Sequence, residues 1–132
     1  MEDQVPRRDD GAATTALVLI LPVVLLTIMA VVQLALAFHA RQIVTAAAQD
    51  AALAATAQGA STGTAETTAQ HVLDGSSTGL LRDRAINVDA SSDRVHVTVT
   101  GTVASVVPGL TFTVTGIGDA PIERFRTQGP TQ

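Results

Sequence analysis

The sequence contains no cysteine, no tryptophan and no tyrosine, and only 3 of its 132 residues are phenylalanine. Without cysteine the chain forms no disulfide, offers no thiolate to a metal and has no cysteine nucleophile. After Ala40 the aromatic side chains are Phe112 and Phe125 alone, so the core of any globular part is small. We expect such a part to need a partner or a neighbouring helix for its stability.

Basic residues are also few: 8 Lys and Arg stand against 12 Asp and Glu, which gives a net charge of −4. Nucleic acids are bound through clustered Lys and Arg that contact phosphates. The basic residues here are scattered, and the charge pattern therefore argues against a nucleic-acid partner.

No constellation of residues indicates catalysis. The loop sequence DGSSTG at residues 74–79 lacks the G-x-S-x-G form of a nucleophile elbow, and GASTG at residues 59–63 lacks the lysine of a phosphate-binding loop. The three histidines, His39, His71 and His96, have no metal-binding spacing. We predict no enzyme activity, no cofactor, no metal site and no small-molecule substrate.

One segment is both long and uncharged. A charged leader, residues 1–11, precedes it, and no Asp, Glu, Lys or Arg occurs from Gly11 to Ala40. About 20 apolar residues cross the roughly 30 Å of bilayer hydrocarbon, so we predict a transmembrane helix over residues 12–40 in contact with membrane lipid. Arg7 and Arg8 before the span outnumber Arg41 after it, which favours a cytoplasmic N-terminus and an extracytoplasmic C-terminal part.

The helix is predicted to continue beyond the membrane. Residues 41–58 are rich in alanine, which has a high helix propensity, and Ile43, Ala47, Ala51 and Ala54 share one face. Within the span, Pro22 removes one backbone hydrogen bond and is expected to kink the helix.

The C-terminal part predicts an α+β fold. A linker and short helix occupy residues 59–84, with the helix at Ala65–Leu73, and an antiparallel β meander occupies residues 85–126 before a flexible tail at residues 127–132. Its strands are expected at residues 85–90, 94–103 and 110–117, with a bulge at Gly101. One face of the middle strand carries Val95, Val97, Val99 and Val103, and we expect the outer half of the long helix to cover it.

Three segments together resemble the TadE-like pseudopilins of tight-adherence pilus systems, in particular the actinobacterial forms. They are DDGAATTALVLILP at the start, AFHARQIVTAAAQDAALAA in the helix and APIERFR near the end. The resemblance implies other pilin or pseudopilin subunits as partners, together with a prepilin peptidase and a pilus assembly platform.

The resemblance also implies cleavage on the cytoplasmic side, after Gly11 and before Ala12. Pilin-like proteins carry glutamate at the fifth mature position, which is Ala16 here, whereas the helix-bending proline is present as Pro22. Related sequences often have a pair of cysteines in the sheet region, and this chain has none. The absent glutamate suggests a minor component that primes, tips or assists assembly.

Two other interpretations remain open. The chain could be a signal-anchored module that binds an extracytoplasmic partner through its threonine-rich sheet. Alternatively, Ala35-Leu36-Ala37 has the A-x-A form of an export signal cut before Phe38, although the apolar segment is longer than the 7 to 15 residues or so that are usual for such signals.

Overall fold

The computed structural model describes residues 9–57, 59 and 61–122. Two helices are followed by three strands: α1 (Asp9–Ala57), α2 (Thr62–Ser76), β1 (Leu81–Ala90), β2 (Arg94–Val103) and β3 (Phe112–Pro121). The strands form one antiparallel sheet in the order β1-β2-β3. The predicted α+β fold is confirmed.

Helix α1 is continuous over 49 residues and includes Pro22. Apolar residues dominate the first half of the helix and alanines with high helix propensity the second half, and neither glycine nor another proline follows Pro22 before Gly59. Gly59 has a φ of 77°, a left-handed conformation that glycine adopts without steric cost and that commonly ends a helix. The predicted extension of the helix beyond residue 40 is therefore confirmed.

Helix α2 is longer than predicted at both ends. Ser61 caps its first turn by accepting a hydrogen bond from the amide of Thr64, and the amide of Ser77 closes the last turn on the carbonyl of Leu73. The predicted loop at residues 74–79 thus begins inside the helix. The buried side of α2 consists of Ala65, Ala69 and Leu73, at the four-residue spacing of one helical face.

Strand β2 has the predicted bounds, and its four valines are buried as expected. Strand β1 begins at Leu81, four residues before the predicted start at Ala85. A bulge explains the difference: Arg82 pairs with Thr102 and Ala85 with Thr100, so that Asp83 and Arg84 together face Gly101. The irregularity expected at Gly101 therefore lies on the opposite strand.

Strand β3 begins two residues later than predicted and runs on to Pro121. Its buried side consists of small residues, namely Val114, Gly116, Gly118 and Ala120, whereas Ile117 is 51% exposed. Glycine ordinarily weakens a strand, and the end of this strand was therefore predicted too early, before Gly118. Of the segment APIERFR, residues 123–126 lie outside the described residues.

The core lies between the outer half of α1 and the inner face of the sheet. The helix contributes mainly alanine, with Val44 as the largest fully buried side chain on that face, and the sheet contributes the valines of β2. Small residues on both sides let the two backbones approach closely. The predicted covering of the sheet by the helix is confirmed.

Candidate functional site

Helix α1 carries the candidate functional surfaces, and its N-terminal and C-terminal halves differ in which side chains are exposed. From Thr14 to Val32 nearly every described side chain is exposed, and these side chains are almost all apolar. This is the one helix of the described residues that is long and apolar enough to cross a membrane. Exposure of so large an apolar surface to water is unfavourable, and this surface fits a single-pass membrane anchor.

The outer half of α1 has one covered and one uncovered face. The covered face, which includes Val44, Ala48 and Ala52, packs on the sheet and on α2. The opposite face has no partner within the described residues. Its exposed side chains follow one another at helical spacing, and we call them the outer stripe: Phe38, Gln42, Ala46, Gln49 and Leu53. Phe38 and Leu53 are 61% and 62% exposed.

Gln33 lies where the apolar half of α1 meets the half that is covered by the domain. Its side chain is fully buried although it lies in the apolar run. Its Nε2 donates a hydrogen bond to the carbonyl oxygen of Ala104 at 3.3 Å, and its Oε1 accepts one from the amide of Val106 at 2.6 Å. The amide therefore ties the loop between β2 and β3 to the helix at this level.

Gln33 was missed by the sequence analysis, although a signal was present. It is a lone amide in an otherwise apolar run, and a polar side chain in such a run ordinarily has a polar partner. The partner could not be identified from sequence, because it consists of backbone groups that lie about 70 residues further along the chain.

The residues predicted for processing lie together near the start of α1. Gly11 is helical and exposed, and a Cβ atom built on it would meet no atom within 4 Å. The backbone of Ala12 is helical, Ala16 is exposed on the apolar half, and Pro22 lies further along the same helix. Cleavage after Gly11, the role of Ala16 and a kink at Pro22 stay predictions.

On the outer face of the sheet a carboxylate, a histidine and a hydroxyl are linked in the same order as in a catalytic triad. The Nδ1 atom of His96 lies 2.6 Å from Oδ1 of Asp119, and its Nε2 lies 3.3 Å from Oγ1 of Thr98. The side chains of His96 and Asp119 are 38% and 55% exposed. Thr98 lies on the central strand, where both neighbouring strands take up the backbone hydrogen bonds, so the strand has no free amide to stabilise an oxyanion.

His39 and His71 contribute to no cluster with His96. No group of three or more His, Cys, Asp or Glu side chains with a metal-binding arrangement occurs among the residues that the structure describes. The His96 cluster is exposed and is built by two neighbouring strands, β2 and β3, which is typical of hydrogen-bonded side chains on the surface of a sheet.

The described residues form a long apolar helix with one candidate membrane span, and the outer half of that helix carries a small antiparallel sheet. Residues 11–53 match the family model described as "TadE-like protein", so the chain carries a TadE-like segment. This confirms the resemblance to TadE-like proteins over the helix; proteins of that family are pilin-like structural components associated with pili. Searches among curated proteins and among solved structures gave no match.

The matched segment contains the apolar half of α1 and the whole outer stripe, and it ends before α2 and the sheet. The helix is thus the part of this chain that carries the likeness.

Proposed function

We propose that the chain is a membrane-anchored minor pilin, or pseudopilin, of a tight-adherence pilus system that acts in assembly or secretion. It works by packing α1 against the helices of other pilin subunits. One observation carries the proposal: the TadE-like match coincides with a continuous helix on which the apolar side chains between Ala16 and Val32 and the outer stripe are largely exposed.

The outer stripe supports helix packing by its geometry. Its residues recur at intervals of three and four, which places them along one line of the helix surface. Two large apolar side chains, Phe38 and Leu53, lie at its ends, and the smaller Ala46 lies between them. A second helix can approach closely at the small residue while the large side chains pack beside it.

The arginines on either side of the span support the proposed orientation. Arg7 and Arg8 before the span outnumber Arg41 after it, which favours a cytoplasmic N-terminus. A prepilin peptidase on the cytoplasmic side then cuts between Gly11 and Ala12. The open space around Gly11 supports access of a protease to this backbone.

Export with loss of the apolar segment is disfavoured. A cut after Ala37 would remove Gln33, whose hydrogen bonds hold the backbone of Ala104 and Val106. Both backbone groups would then need new partners. The anchored binding module is the remaining alternative, and it needs a ligand for the threonine-bearing face of the sheet.

The N-terminus of the protein recovered from membranes separates these functions. Mass spectrometry should find a chain that begins at Ala12. An intact leader would instead support the anchored binding module, and a chain that begins at Phe38 would support export. A variant with a bulky residue at the cut, Gly11→Trp, is the matched control and should retain the leader.

Helix packing is tested by cysteine cross-linking, for which the cysteine-free chain is well suited. Leu53→Cys on the outer stripe should form cross-links to other pilin subunits that carry a cysteine at the corresponding helix position. Thr113→Cys, exposed on the sheet, is the control and should not. Equal cross-linking of the two variants would contradict the proposed packing surface.

A further inference from the structure

The loop between β2 and β3, residues 104–111, combines exposed apolar side chains with a fixed position beside the apolar helix. We propose that this loop rests on the outer leaflet and places Val106 and Leu110 in the interfacial layer of the bilayer, as a second membrane contact beside α1. This inference rests on the membrane span of the proposed function.

Because α1 crosses the membrane in the proposed function, the residue of α1 that each part of the domain contacts gives the distance of that part from the bilayer. The backbone of Val44 and Thr45 lies against Gly116, and that of Ala48 and Gln49 lies against Gly118. The loop, in contrast, contacts Gln33. At 1.5 Å per residue, the level of Gln33 is about 16 Å closer to the N-terminus than that of Val44.

This level coincides with the expected edge of the hydrocarbon. The exposed apolar part of α1 that is not covered by the domain runs from Thr14 to Val32. A helix of about 20 residues spans about 30 Å, the thickness of the hydrocarbon core. A span of this length that begins at the predicted start, Ala12, ends near Gln33, at the height of the loop and before the predicted end at Ala40. Beyond Gln33 the domain covers one side of α1, while Leu34 and Phe38 on the other side stay exposed.

The surface of the loop suits a lipid interface. Val106 is 40% and Leu110 is 38% exposed, although both side chains are large and apolar. No Asp, Glu, Lys or Arg occurs from Val95 to Gly118. Lipid is therefore a better neighbour for these side chains than water; the charged side chains at this end of the sheet, Arg82, Asp83 and Arg84, lie on β1 beside Thr102 and Gly101 and not on the loop.

Several backbone groups of the loop are hydrogen-bonded within the protein, which lowers the cost of an environment poor in water. The carbonyl of Ala104 and the amide of Val106 bind Gln33, and the amide of Leu110 donates to the carbonyl of Val107. The hydroxyl of Ser105 lies within hydrogen-bond distance of the carbonyl oxygens of Val107 and Leu110. Pro108 has no amide hydrogen to satisfy. Internal satisfaction of this kind is what irregular backbone near lipid requires.

Single-tryptophan variants test the contact, because the chain contains no tryptophan. The full chain is reconstituted at low density into phosphatidylcholine vesicles whose acyl chains carry bromine, a quencher, either close to the headgroup or deep in the bilayer. Leu110→Trp and Val106→Trp place the probe on the loop. Leu25→Trp marks the middle of the span, and Ile117→Trp, another exposed apolar position, marks β3 further from the membrane.

We expect both loop variants to lose emission mainly with the shallow bromine and to emit at shorter wavelength than Ile117→Trp. Leu25→Trp should be quenched mainly by the deep bromine, and Ile117→Trp should be quenched by neither. Unquenched loop variants together with a quenched Leu25→Trp would overturn the loop contact and leave the span intact. An unquenched Leu25→Trp would overturn the span itself, and the loop contact with it.

Discussion

Gly118 of β3 lies directly against the backbone of Ala48 in α1: a Cβ atom built on Gly118 would stand 2.1 Å from the carbonyl oxygen of Ala48. Gly116 has the same relationship to Val44, at 2.3 Å. No side chain fits at such distances from a backbone, and the two glycines therefore set how closely the sheet approaches the helix. In the described part of the chain, no other glycine comes as close to a neighbouring element.

Replacement of Gly118 by alanine should lower the free energy of unfolding by about 1–3 kcal/mol, because the added methyl group forces helix and sheet apart. Thermal unfolding of the full chain in mild detergent, followed by circular dichroism, measures the change. Gly75→Ala is the matched control: it lies in α2 with open space around it, and it should stabilise the helix by about 0.5–1 kcal/mol. Equal effects of the two substitutions would refute the close packing.

Gln33→Leu should loosen the β2–β3 loop. Leucine is comparable in size but leaves the carbonyl of Ala104 and the amide of Val106 without their partner, at a cost of about 1–3 kcal/mol. Hydrogen exchange at the amide of Val106 should accelerate by about tenfold or more, since about 1.4 kcal/mol corresponds to a factor of ten. Gln42→Leu, on the exposed face of the same helix, should leave that amide unchanged. Unaltered protection in Gln33→Leu would contradict the role of this side chain.

The parts of the fold that sequence analysis predicted well are those with an uninterrupted period. The apolar run and the alanine-rich segment predicted one long helix, and the four valines of β2 gave that strand its bounds and its buried face. In the alanine-rich half of α1 and in β2, burial alternates with exposure as the period requires, so local pattern and tertiary packing agree.

The errors in the sheet have two physical causes. The bulge adds one residue to β1, so that Leu81 and Ile86 face the same side although they are five positions apart, and the simple alternation is lost. In β3 the helix lies so close to the buried face that only glycine fits at Gly116 and Gly118, and the larger Ile117 lies on the exposed face. Neither the neighbouring strand nor the neighbouring helix is visible in a local stretch of sequence.

Asp83→Gly should stabilise the protein. Asp83 is the one residue other than glycine with a positive φ in the described part of the chain, at 49°, and it begins the bulge. Glycine adopts this conformation without the penalty of a side chain, so we expect a gain of up to about 1 kcal/mol in the free energy of unfolding. The same substitution at Asp89, in the regular part of β1, should destabilise. A loss of stability in both variants would show that the backbone at Asp83 is not strained.

Ala16→Glu should increase the fraction of the protein that is incorporated into filaments. In related pilins a carboxylate at this position is thought to pair with the N-terminal amine of a neighbouring subunit, which offsets the cost of a charge in hydrocarbon. Ala16 cannot form this pair, and the proposed minor role therefore predicts that the wild-type subunit stays in the membrane or at the ends of a fibre. The incorporated fraction is measured as tagged protein that sediments with sheared filaments, relative to tagged protein in membranes. Leu17→Glu introduces the same charge one residue away, on another side of the helix, and should lower insertion without any gain in incorporation. If Ala16→Glu leaves the incorporated fraction unchanged while wild-type and variant are cleaved equally, the missing carboxylate does not explain a minor role.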